Sequence, residues 1–203
     1  IEAHGNIKKL SNHLHLPVQS GSASVLKRMN REYTPEHFLE RMSKFRVANP
    51  DIVISTDIIA GFCNETQEEH QATLDLLTKA QFDFIYSYVY SERKNTRAAG
   101  MDDFLSNDIR GERLREIQKH QLDLQLPIRK KMVGKTYKVL VEKEKTFKGE
   151  TKWLGKTNCN RIVHFKGQAE TNYKWHWVEL KVTESTALSC QGELVNNLGT
   201  LVR

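Results

Sequence analysis

The sequence is poor in cysteine, and the cysteines it has do not form a pattern. Cys63, Cys159 and Cys190 are odd in number and widely separated, which excludes a disulfide framework and a CxxC-type metal pair. Long hydrophobic runs are also missing. The longest, Ile52-Val53-Ile54 and Ile58-Ile59-Ala60, fall far short of the roughly 18–20 residues a membrane helix needs, and no signal-peptide pattern is present. These absences predict a cytoplasmic protein with no membrane partner. No G-x-S-x-G elbow occurs, which argues against an α/β hydrolase, and there is no internal repeat or low-complexity tract. His13 and His15 form an H-x-H pair on one face of a strand, but without a third ligand they are better read as lining a cleft or packing than as a metal site.

What is present is ordinary for a globular chain: 38% hydrophobic and 28% charged residues over 203 positions, so disorder is not expected. The net charge of +6 is unevenly spread. Up to Leu126 there are 16 Lys/Arg against 18 Asp/Glu; from Pro127 onward there are 15 against 7. The basic excess therefore belongs to the C-terminal third, as expected of a polyanion-binding module joined to a part that does other work.

From Asn12 to about Gln125 short β-branched or aromatic runs alternate with helical patterns, the signature of βα units around a parallel sheet. The first strand reads His13 to Val18, followed by the loop Gln19-Ser20-Gly21-Ser22 and a short helix from Ala23 to Met29. Thr34 and Pro35 open the next helix as N-cap and first residue, with Phe38, Leu39, Met42 and Phe45 as its buried stripe. A second strand, Ile52 to Ile59, precedes a T-x-x-E capping box, Thr66 and Glu69, and a helix burying Leu74, Leu77 and Ala80. The third strand covers about Phe82 to Tyr90, and a last helix contains Leu114, Ile117 and Leu122. Three βα units are too few to close an ordinary barrel or to bury both faces of a sheet, so either the chain is truncated or a partner segment is missing. Beyond Pro127 about five short strands, starting near Tyr137, Trp153, Arg161, Trp177 and Leu188, fit a small OB-like barrel. The expected fold is thus α/β plus all-β: a partial TIM-like barrel over 1–126, then a five-stranded OB-like barrel over 127–203 with its core at about 132–195.

The stretch His13-Leu14-His15-Leu16-Pro17-Val18-Gln19-Ser20-Gly21-Ser22, with Leu26 to Arg31, Thr56 to Phe62, Glu65-Thr66, Tyr90-Ser91, Arg93, Thr96, Ala98 and Ala99, resembles the second half of the radical S-adenosylmethionine (SAM) barrel of methylthiotransferases. Val133-Gly134, Val139 to Glu142, Gly155-Lys156-Thr157, Asn160-Arg161 and Gly192-Glu193-Leu194 resemble the TRAM domain that ends these enzymes. Residues 15 to 22 are nearest the branch acting on N6-dimethylallyladenosine of tRNA; the threonylcarbamoyladenosine branch is the alternative. The family's Gly-Phe-Pro-Gly-Glu-Thr reads Gly61-Phe62-Cys63-Asn64-Glu65-Thr66 here, and its Arg-Pro-Gly-Thr-Pro-Ala reads Arg93-Lys94-Asn95-Thr96-Arg97-Ala98. Asn64 tolerates φ > 0 and can keep its turn; Asn95 and Arg97 leave the second loop's shape open.

The resemblance implies SAM and two [4Fe–4S] clusters in a longer parent, with one SAM donating a methyl to a cluster sulfur and another yielding the radical that takes hydrogen from C2 of adenine. The family's Cys-x-x-x-Cys-x-x-Cys motif has no counterpart here, so none of the clusters is expected to be ligated by this chain, and the chain alone is expected to be inactive. Residues expected to bind cofactor are Gln19, Ser20 and Gly21, just past a barrel strand; Arg31; Asp57, either bonded structurally or facing a polar cleft; and Glu65, which either reaches SAM or supports the following helix, the latter being the preferred reading. Arg93, with Arg31, suits a carboxylate or a tRNA phosphate because of its planar fork. Lys135, Lys138, Lys156, Arg161 and Lys166 are the expected tRNA phosphate contacts. Tyr86, Tyr88 and Tyr90 share one strand face and are read as core packing in preference to base stacking. Among Trp153, Trp175 and Trp177 at least one is expected to fill the barrel. A non-catalytic RNA-binding module is the rival reading.

Overall fold

The computed structural model describes residues 1–147 and 150–200; Leu201 to Arg203, the end of the expected second domain, lie outside the described residues. The chain divides into two compact units, one formed by Ile1–Leu10 and Leu14–Gln125, the other by Ser11–His13 and the chain from Leu126 onward. In order the first elements are α1 (Glu2–Asn6), β1 (His13–His15), α2 (Ala23–Arg28), α3 (Pro35–Ala48), β2 (Val53–Ala60), α4 (Gln67–Ala80), β3 (Phe84–Val89), a 3-10 turn (Arg97–Gly100) and α5 (Asn107–Lys130).

The local signals act as read. The Thr34 hydroxyl accepts from the His37 N–H with Pro35 at the start of α3, and Thr66 and Glu69 complete a reciprocal capping box on α4. Both satisfy N–H groups that no helical carbonyl can reach. Asn49 then caps α3 in an extended conformation, as expected of a residue before proline. β1, β2 and β3 form a three-stranded sheet in that order, with β2 and β3 parallel. On one face Ile54 and Ile58 meet Phe38, Met42, Leu74, Leu77, Phe82 and Ile117 in a single core, each such side chain being worth roughly 1.5–3 kcal/mol.

Register decides what the other face carries. Asp57 pairs with Tyr86 and Ile59 with Tyr88, so these side chains share the face opposite the core. The period-two reading of the tyrosines is correct, but core packing holds only for Tyr90, which packs on Val25, Phe62 and Cys63: Ile85 packs on the main core, while Tyr86 and Tyr88 are 47% and 55% exposed. A helix-facing and an open face alternate identically in sequence, and only the partners of the strand tell them apart. α5 runs through Pro127 to Lys130. Proline is tolerated so near the C-terminus, where it removes one helical bond, and Arg129 and Lys130 complement the negative end of the helix dipole.

The second unit is a closed five-stranded barrel of β4 (Thr136–Phe147), β5 (Glu150–Thr157), β6 (Ile162–Phe165), β7 (His176–Ser185) and β8 (Cys190–Thr200), in the ring order β4-β5-β6-β8-β7. Closure comes from the parallel pairing of β6 with β8. Val139, Val141, Val163, Phe165, Tyr173, Val178, Leu180, Val182 and Cys190 fill the interior, so valines and two aromatics do what a tryptophan was expected to do. Trp153 only packs partly against this core, and Trp175 is exposed.

Candidate functional site

The carboxyl ends of the three parallel strands open onto a cavity of about 970 Å³, lined among others by Gln19, Arg31, Asp57, Phe62, Tyr88, Tyr90, Arg93 and Arg97. Ligands collect at this end of a parallel sheet because loops there converge without strand pairing to satisfy, and the volume lies in the range of small-molecule sites. Gln19 is bonded into the sheet on both sides, its N–H donating to the Asp57 carbonyl and its carbonyl accepting from the Ile59 N–H, each at 2.9 Å. It holds φ at 73°, a left-handed conformation that costs a non-glycine residue roughly 1–2 kcal/mol. The residue is buried and its carboxamide has no hydrogen-bond partner among the described residues. Asp57 lies 3.4 Å from His15 Nε2, while His15 Nδ1 sits 2.9 Å from Ser55 Oγ and its ring meets Tyr86 edge-on. The expected choice for Asp57 thus resolves into both alternatives: it has a partner and it faces the cavity.

The other expected cofactor residues support the site from behind. Ser20 is fully buried and bonds toward Thr73 Oγ1. The Gly21 N–H donates to the same oxygen at 3.0 Å, and a Cβ at Gly21 would stand 2.3 Å from the Ala72 carbonyl oxygen. Glycine is therefore required there for the loop to press against α4, a packing role. Glu65 accepts from the Gly61 N–H and pairs with Arg113 at 3.0 Å, both side chains nearly inaccessible. Burial raises its pKa, against the pull of that N–H and of Arg113. Glu69 receives both Arg28 guanidinium nitrogens, at 2.8 and 2.7 Å, and that fork brings its pKa down to about 2. Arg28, which lines the cavity, is thereby charge-compensated.

The segment after β3 is tied down by Asn64, read from the sequence only as a turn residue, and by Arg110, which the sequence reading did not single out. Asn64 donates to the Asp102 carbonyl and accepts from the Phe104 N–H, at 2.7 and 2.9 Å. Arg110 donates to the Gly61 carbonyl at 2.9 Å, pairs with Asp103 and lies over the Tyr90 ring. Burial pushes the Tyr90 phenol up to about 12, so it remains a neutral donor. Asn64 and Asn95 hold φ at 50° and 65°, answering the question left by the altered loop: asparagine keeps both left-handed turns. Arg110 and Arg113 stand three apart on one face of α5, a spacing that could have marked that face as the one meeting these loops.

The expected tRNA contacts do not form one patch. Lys138 stands 4.9 Å over the Trp177 ring on the outer face of β4, and Lys156, paired with Glu142 at 3.5 Å, lies two strand positions away on the neighbouring strand, since Leu140 pairs with both Trp177 and Lys156. Arg161 precedes β6 and is half-buried, and Lys135 is exposed in the turn before β4. Lys166 instead lines a separate concavity of about 670 Å³ with Trp153, Lys143 and Lys174.

Among the described residues no group of three or more His, Cys, Asp or Glu is placed to hold a metal. Cys63 is buried against the loop, Cys190 lies within the barrel and Cys159 stands in the turn between β5 and β6, so the chain's own thiols do not fit an iron–sulfur cluster. No described helix is long and apolar enough to cross a membrane.

Comparison with known proteins places these features. Residues 5–77 match the radical SAM superfamily and residues 130–195 the TRAM domain. A tRNA-2-methylthio-N(6)-dimethylallyladenosine synthase of Thermoanaerobacter sp. (strain X514) is 41% identical over 96% of this chain and 41% of its own length. Those of Aquifex aeolicus and Carboxydothermus hydrogenoformans are 40% and 38% identical, also over 96% of the chain, and 43% and 44% of their own lengths are covered. The chain thus spans about two-fifths of the length of the curated relatives it matches. With both domain matches and this sustained identity, the chain carries a radical SAM segment and a TRAM domain and is similar over nearly all of its length to part of proteins named tRNA-2-methylthio-N(6)-dimethylallyladenosine synthase.

Proposed function

We propose that the chain is a C-terminal portion of a tRNA methylthiotransferase, acting on C2 of N6-dimethylallyladenosine beside the anticodon. The observation that carries this reading is the cavity at the carboxyl ends of β1 to β3, where buried Gln19, with an unused carboxamide, meets Asp57 and unpaired arginines. Residues 1–126 are read as three βα units of a partial TIM-like barrel, completed by sequence beyond this chain, and residues 127–203 as an OB-like tRNA-binding domain.

The residues present fit SAM. Gln19 and Asp57 supply an amide and a carboxylate for its polar groups, and Phe62 and Tyr88 supply apolar wall. SAM, with the family's iron–sulfur clusters, supplies the radical and methylating chemistry when bound. This chain's part is to bind and orient: Gln19 is fixed by two backbone bonds, and Arg113 and Arg110 hold the loops that form the cavity wall. Lys135, Lys138, Lys156, Arg161 and Lys166 lend the second unit its electrostatic attraction for tRNA, which should weaken steeply with salt.

The test is nucleoside analysis of tRNA from cells lacking the gene that encodes this chain. Loss of 2-methylthio-N6-dimethylallyladenosine with accumulation of its unthiolated form is expected. Accumulation of unthiolated threonylcarbamoyladenosine instead would move the protein to the sibling branch, and unchanged modification of both would leave the non-catalytic RNA-binding reading.

A further inference from the structure

We infer that Arg97, together with Arg31 and Arg93, forms a phosphate clamp at the cavity rim that grips the sugar–phosphate backbone of the entering RNA strand. This rests on the tRNA reading only for the identity of the polyanion.

The argument begins with charge. Four arginines line the cavity: Arg28, Arg31, Arg93 and Arg97. Arg28 is neutralised by the two-pronged contact with Glu69. The guanidinium groups of the other three have no ion pair or hydrogen bond among the described residues. Against them stands a single lining carboxylate, Asp57, which already lies beside His15. The excess positive charge therefore lies in a concave site whose walls include Phe62, Tyr88 and Tyr90, with all three arginines exposed and so open to an arriving anion. A concavity lined by one sign of charge raises the local concentration of the opposite ion, and an anion with several acceptor oxygens can bridge the forks.

A carboxylate offers two oxygens and is satisfied by one fork. Three forks call for more acceptors and more charge, which two successive phosphodiesters provide. The placement agrees. Arg93 and Arg97 bracket the turn at Asn95, where φ is 65°, and Arg97 begins the 3-10 turn Arg97–Gly100. Arg31 reaches the same cavity from the loop after α2. Arg97 thus offers its fork from the first residue of that turn.

The test uses the 203-residue chain and restricts the readout to the cavity by following backbone amides of residues 88–98 by NMR. The probes are ApApA, which carries two phosphodiesters, adenosine, which carries none, and L-methionine as a carboxylate. ApApA should bind more tightly than adenosine. Arg97→Ala should weaken ApApA by about 3–10-fold and lower its salt slope by about one, as loss of a single phosphate contact does, with adenosine unaffected. Arg97→Pro, which suits the first position of a helical turn and so keeps the fold, should match Arg97→Ala, and Arg97→Lys should recover part of the loss. An unchanged ApApA affinity in Arg97→Ala and Arg97→Pro overturns the clamp, as does a loss that falls on L-methionine and spares ApApA. Because the readout is binding, the clamp can fail while the methylthiotransferase reading stands, and the reverse.

Discussion

Gly21→Ala separates packing from ligand contact in the loop after β1. The new methyl would stand 2.3 Å from the Ala72 carbonyl oxygen, 2.6 Å from Thr73 Cα and 2.8 Å from the Ala72 carbonyl carbon. All three are helix backbone, so no side chain can rotate away, and loop and α4 must part by about 1 Å to restore normal contact. α4 buries Thr73, Leu74, Leu76 and Leu77 on the side that would move. Overpacking of this kind costs about 1–3 kcal/mol, and lengthening the 3.0 Å bond from the Gly21 N–H to Thr73 Oγ1 adds about 0.5–1.5 kcal/mol. The expected total, about 2–4 kcal/mol, corresponds to a shift of about 1–2 M in urea midpoint for a unit of this size. The two units carry separate reporters: all three tryptophans, Trp153, Trp175 and Trp177, lie in the barrel unit, whereas the helices lie almost wholly in the other. Urea titration followed by helical circular dichroism should show the shift, and tryptophan fluorescence should not. A helical midpoint within about 0.2 M of the parent, equal to a few tenths of a kcal/mol, would refute the packing argument and return Gly21 to the ligand.

Three further outcomes follow from the buried charges and the strained glutamine. Glu69→Gln should cost about 1 kcal/mol at neutral pH after allowance for solvent screening. The folded pKa of about 2 lies below the unfolded value of about 4.3, so the contribution is complete above that value and fades as pH falls toward 2; a denaturation series in which the difference from the parent stays constant from pH 7 to pH 2 would contradict it. Arg113→Ala, which strands the buried Glu65 carboxylate, should cost about 3–5 kcal/mol at pH 7, measured by the same urea titration, and less in the background of Glu65→Gln. Gln19→Gly should raise the stability of the first unit by about 0.5–1 kcal/mol by relieving the φ of 73°, while in the full-length parent it should lower modification at saturating tRNA, read in single-turnover assays.

Most helices and strands were legible because their signals are local. The caps at Thr34 and Thr66 need only the next three residues, and the barrel strands β4 to β8 appear where alternation placed them. The tyrosines of β3 mark where such reading stops. Their alternation was visible, but whether that face meets a core depends on β2, whose register sets Asp57 and Ile59 beside Tyr86 and Tyr88.

The site was legible in part for the same physical reason. Gln19, Arg31, Asp57 and Arg93 were found and do share a cavity: Gln19 and Arg93 follow strands β1 and β3, Asp57 points from within β2, and Arg31 comes from the loop after α2. Glu65, Ser20 and Gly21 lie close to them in sequence yet turn away, because a buried carboxylate binds whichever cation the fold brings within reach, here Arg113 from a helix 48 residues on. The loop that departs most from its family is the sharper case. Cys63 and Asn64 meet the segment that follows Arg97: Asn64 ties the backbone at Asp102 and Phe104, and the Cys63 thiol faces the Ala98 carbonyl at 3.7 Å. Asn64 holds a left-handed turn at φ 50° and at the same time spends its carboxamide on both of those bonds, so a single residue shapes its own loop and ties down the neighbouring one, beside which Arg97 lines the cavity.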